Sequence, residues 1–157
     1  MVDRAIISAF AKATMETCAE MCNTTVTPRR AVTDQELEPG DGVHALIGME
    51  GAITGAISLS MPAGVACGAV SRMVGMDFTE VDSDVADGVQ ELVNIVIGRA
   101  KKHLEECRLN FQFGLPKTLV GHQFPTSETQ GYRNLPLRFA ADWGEFLVYL
   151  TWKKVEG

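Results

Sequence analysis

Residues 43–62 read VHALIGMEGAITGAISLSMP, and how this stretch folds decides the architecture. Val43, Ala45, Ile47 and Met49 alternate with His44, Leu46, Gly48 and Glu50, and after Gly51 the series Ile53, Gly55, Ile57, Leu59, Met61 repeats the pattern. A period of two places successive side chains on opposite faces of a strand, so two such runs around Glu50-Gly51 predict an antiparallel hairpin. The uncharged run from Gly51 to Ser71 is long enough to span a bilayer, but it holds four glycines, three serines, Thr54 and Pro62. With its first half alternating, it predicts a buried strand followed by a helix rather than a membrane span.

Helices surround this hairpin in the chain. Residues 3–22 carry Ile6, Phe10, Ala13, Thr17 and Met21 at three- and four-residue spacing, ahead of a polar segment from Thr24 to the turn at Glu38–Gly42. Pro62 suits the first turn of a second helix whose apolar stripe is Val65, Ala66, Ala69, Val70, Met73 and Val74, ending at Gly75. Acidic residues from Asp77 to Asp84 favour the start of a long third helix running to about Cys107. Strand candidates follow at Leu109–Leu115, Lys117–Phe124, Leu135–Ala141 and Phe146–Trp152, the last two joined by a turn at Asp142–Glu145, with Thr126–Asn134 as a polar loop. Strands that run in consecutive pairs, with helices grouped between them, predict an α+β fold: a mostly antiparallel sheet of about six strands with three helices packed against it.

At 157 residues the chain is expected to form one domain, 1–157. Its formal net charge of −6 disfavours a nucleic-acid partner, which needs concentrated positive charge, and an anionic membrane surface for the same reason. Asp3, Arg4 and Lys12 interrupt what would be the apolar part of a signal peptide, so a cytoplasmic location is expected. Cys18, Cys22, Cys67 and Cys107 form no CxxC pair and no zinc spacing with histidine; they are expected to be packing residues, and no metal site is expected. His44, His103 and His122 are expected to be structural, and Trp143 and Trp152 to lie in the core or at a subunit contact.

The long helix carries the chemistry. On a wheel of 100° per residue, Val85, Val89, Leu92, Val93, Val96 and Ala100 form the core face. Asp87, Glu91 and Asn94 fall at i, i+4 and i+7 on the opposite arc, with Gly98, Lys101 and Glu105 beyond them. A glycine in an exposed helix interior costs about 1 kcal/mol relative to alanine, and a partner that must approach the backbone closely is one reason to keep it.

Asp87-x3-Glu91-x2-Asn94 followed by twenty-one residues and Pro116 resembles the signature of the CheC/CheX/FliY family of chemotaxis phosphatases. The run Glu91–Lys101 resembles that family's ELxNxxxGxAK helix, Leu115-Pro116 to Val120-Gly121 its LPxxxxG strand entry, and Ser58–Pro62 its strand-to-helix passage. One copy of the motif in a chain of this size is closest to CheX. The resemblance implies a phosphatase acting on the aspartyl-phosphate of a CheY-like receiver domain. Asn94 is then expected to orient the attacking water and Glu91 to pair with the receiver's lysine. Asp87, Gly98 and Lys101 would lie at the partner contact, and Pro116 would shape the following strand. It also implies a homodimer, no cofactor on this chain, and Mg2+ on the partner receiver. A non-catalytic adaptor of the same fold, binding a receiver or flagellar-switch protein, is the alternative. Two positions depart from the family pattern: Val93 stands where alanine is common, and Arg99 brings a bulky charge near the expected contact.

Overall fold

The computed structural model describes residues 2–29, 42–51, 53–121 and 133–154. Among the described residues three helices, α1 (Val2–Met21), α2 (Ala63–Val74) and α3 (Ser83–Glu106), accompany seven strands. These are β1 (Thr27–Arg29), β2 (Gly42–Gly51), β3 (Ile53–Pro62), β4 (Phe111–Phe113), β5 (Lys117–Gly121), β6 (Arg133–Ala141) and β7 (Gly144–Lys154). They form one antiparallel sheet in the order β1-β6-β7-β3-β2-β4, with β5 also pairing β2. The α+β class is as expected. The seventh strand is β1, three residues inside a segment whose polar composition predicts a loop; its pairing with β6, not its own pattern, makes it a strand. His122 and the turn residues 38–41 lie outside the described residues.

The decisive hairpin closes in register, with Val43 opposite Met61 and Glu50 opposite Thr54. Its alternation sends Val43, Ala45, Ile47 and Met49 into the core, where Ile53, Ile57, Leu59 and Met61 meet them. Gly55 is required by a close approach: a Cβ there would stand 2.0 Å from the backbone oxygen of Thr151 on β7. Pro62 caps α2, and Gly75, with φ 74°, ends it in the left-handed region.

Helix α3 is set by its two ends and one glycine. Asp82 accepts a hydrogen bond from the Val85 backbone N–H at 2.9 Å, closing the N-terminus. At the C-terminus Arg108, with φ 63°, reverses the chain, and the Leu109 N–H returns to the Leu104 carbonyl at 2.8 Å. Gly88 lets α2 pack close, because a Cβ there would come within 2.7–2.8 Å of the Val70 methyls. The wheel holds: Val85, Val89, Leu92, Val93, Val96 and Ala100 are all buried. Helix α1 runs alongside α3, linked by the ion pair of Arg99 with Glu20 and by His103 Nε2 to Glu16 Oε1 at 2.6 Å.

Candidate functional site

The arc of α3 that faces away from the sheet carries the candidate site. Asp87, Glu91, Asn94, Gly98 and Lys101 are all exposed. Side chains three or four residues apart on a helix stand about 5–6 Å from each other at Cβ, so the Glu91 carboxylate and Asn94 carboxamide project side by side. Asp87 lies about 10 Å along the axis from Asn94. Among the described residues, Asp87, Glu91 and Asn94 take no hydrogen-bond or ion-pair partner, so nothing there must be broken before they engage another molecule. A buried core face on one side and an unengaged polar arc on the other follow from the same 3.6-residue period.

Gly98 stands within this arc, and a Cβ placed on it would meet nothing within 4 Å. Unlike Gly88 or Gly55, it answers no packing demand of its own fold, although its propensity cost remains.

Pro116 is half-buried and directly precedes β5. Met49 of β2 pairs with Phe113 while Leu46 pairs with Lys117, so this edge strand holds one residue more than its partner. That surplus is a β-bulge at Gly114–Pro116, a place where a missing proline N–H breaks no ladder bond. The bulge explains why the strand expected over Leu109–Leu115 shrinks to Phe111–Phe113 and leaves Leu115 91% exposed. Gly114 directly before Leu115-Pro116 is the sequence signal that marks it. Thr118 on β5 donates to Gln90 Oε1 at 2.6 Å, tying the strand to the α3 turn that carries Glu91. Nothing in the sequence pattern singles out Gln90 or Thr118.

Both departures from the family pattern turn away from the arc. Val93 is fully buried, and Arg99 is held by Glu20 of α1, so neither belongs to the exposed polar surface. His103 sits at the α1–α3 seam. His44 is completely buried; desolvation holds its pKa below the ordinary 6.5, against a backbone hydrogen bond with Gly121 that raises it. Cys18, Cys22 and Cys67 are buried and Cys107 is exposed. The Cys18 thiol is pushed up by its hydrogen bond to Cys22 and by burial. Among the described residues, no group of three or more His, Cys, Asp or Glu is placed to hold a metal ion. No described helix is long and apolar enough to cross a membrane. Trp152 is buried, and Trp143 packs against the core beside Phe146 while donating from Nε1 to Thr24 Oγ1 at 3.0 Å.

Comparison with known proteins agrees with this fold. No curated protein matches the chain. A CheX chemotaxis protein from Vibrio vulnificus superposes with a TM-score of 0.82 at 25% identity, over 94% of this chain and 96% of that one. A CheC-like superfamily protein from Shewanella sp. PV-4 gives 0.84 at 24% identity, over 98% of both chains. The CheX–CheY–BeF3–Mg2+ complex from Borrelia burgdorferi matches at 0.75 and 18% identity, over 94% of this chain and 97% of that one. The family described as chemotaxis phosphatase CheX matches residues 43–139, which include the hairpin, the whole of α3 and Pro116. The chain belongs to the CheX family.

Proposed function

We propose that this protein is a phosphatase that removes the phosphoryl group from the aspartyl-phosphate of a CheY-like receiver domain. The observation that carries the reading is the Glu91–Asn94 pair: a carboxylate and a carboxamide exposed side by side on a rigid helix and unengaged among the described residues. The resemblance of the motif and the CheX–CheY complex known for a Borrelia protein of this fold supply the partner.

An acyl phosphate is a mixed anhydride and needs little activation. What it lacks is a water placed in line behind the phosphorus. The Asn94 carboxamide suits that task, because its oxygen accepts from the water while its nitrogen donates to a neighbouring oxygen, with no change of charge. The water oxygen bonds to phosphorus and the bond to the aspartyl carboxylate oxygen breaks. Inorganic phosphate leaves, the carboxylate is regenerated, and the water's proton passes to phosphate or solvent. Glu91, one turn away, pairs with the receiver's lysine, a charge-assisted contact that also sets the angle of approach. Asp87 and Lys101 dock at either end, and Gly98 lets the partner reach the helix backbone. Mg2+ belongs to the receiver in this scheme, and the present chain needs no cofactor. A homodimer in the cytoplasm belongs to the same reading.

The test is to follow phosphate loss from a panel of phosphorylated CheY-like receivers with and without the protein. The reading predicts accelerated decay for at least one receiver at catalytic amounts of protein. Tight binding with unchanged decay identifies the adaptor instead.

A further inference from the structure

Four large apolar residues are exposed among those described: Val74, Met76, Leu115 and Val120. Leu115 is the extreme, 91% exposed, and its position is tightly specified. The bulge at Gly114–Pro116 lifts it off the sheet, and the Gly114 N–H to Gly48 carbonyl bond at 2.9 Å fixes the preceding residue. Leaving the α3 C-terminus, the chain turns at Arg108 and runs back along the helix until Thr118 meets Gln90. Leu115 lies three residues before Thr118, whose bond to Gln90 ties this edge to the α3 turn next to Glu91.

We propose that Leu115 is an apolar docking residue for the receiver, seated against an apolar patch that borders the acyl phosphate as Asn94 enters. This inference rests on the receiver-phosphatase reading and adds a specificity determinant to its contact surface. Interfaces concentrate their affinity in a few apolar anchors beside a polar region, and the Asp87–Lys101 arc has no such anchor of its own. A second copy of this chain is the competing occupant. Adding a strand at this edge would require an unbroken ladder, whereas the bulge and the missing N–H of Pro116 interrupt it beside Leu115.

The experiment measures steady-state dephosphorylation against receiver concentration, with the receiver phosphorylated by phosphoramidate, for the intact chain, Leu115→Ser and Leu115→Met. Because the side chain is exposed, both variants should melt like the intact protein. Leu115→Ser should raise KM about tenfold with kcat within about twofold, and Leu115→Met should stay near the intact KM. An unchanged KM in Leu115→Ser overturns the proposal. So does an equal rise in the methionine variant, which would place the effect in the bulge backbone. So does a Leu115→Ser protein whose own dimer dissociates, by sedimentation velocity, while KM holds. An intact chain that speeds the decay of no receiver fails the underlying reading, and this proposal with it.

Discussion

Replacing Gly98 by alanine should move stability and function in opposite directions. Gly98 sits in the interior of α3, exposed, and a Cβ there meets nothing within 4 Å. The substitution therefore adds no clash and removes the entropy cost of glycine, a gain of about 0.5–1 kcal/mol. For a domain of this size that corresponds to a rise in Tm of about 1–4 °C. In the proposed docking mode the same methyl group would stand in the path of the receiver as it approaches the helix backbone between Asn94 and Lys101. Thermal or urea denaturation reads the first effect, and the decay of a phosphorylated receiver reads the second. The expected result is a more stable protein that dephosphorylates its receiver at least several-fold more slowly. A lower Tm would refute the open-space geometry. Higher stability with undiminished receiver turnover would refute the claim that a partner uses this surface.

Other outcomes follow from the fold. Asp82→Ala removes the side-chain acceptor for the Val85 N–H and should cost about 1 kcal/mol by urea titration. Gly55→Ala drives a methyl into the Thr151 carbonyl and should cost about 2–3 kcal/mol, read as a loss of Tm or of soluble protein. His44 is neutral by preference in the folded state, so its contribution is fully present above pH 6.5 and is lost as pH falls through its lowered folded value. Tm should therefore drop below pH 6.5, and His44→Gln should show a shallower drop; equal slopes would contradict the burial account.

The hairpin and α3 were legible in the sequence because each has one period and one buried face. Val43–Met49 and Ile53–Met61 alternate, while Val85–Ala100 repeats every three to four residues, and packing preserves those patterns. The exposed arc was legible for the complementary reason: a helix with its core face assigned leaves Asp87, Glu91 and Asn94 only one place to go. What escaped depends on contacts between segments distant in sequence. Strand β1 exists through pairing with β6, the Leu115 bulge through a one-residue mismatch against β2, and the Thr118–Gln90 bond through a strand returning along the helix. Arg99, next to Gly98 in the chain, brings a bulky charge near the expected contact, but Glu20 on α1 claims it, a pairing between distant segments that the sequence does not display.

In the proposed mechanism the Asn94 side chain orients the hydrolytic water. Asn94 is exposed and makes no described hydrogen bond, so Asn94→Ala should fold and melt like the intact chain. Saturating amounts of each should be mixed with a phosphorylated receiver, and the first-order loss of phosphate timed. The account predicts that the variant returns the receiver to its intrinsic decay rate while still binding it. Decay at the intact rate with Asn94→Ala would contradict the account.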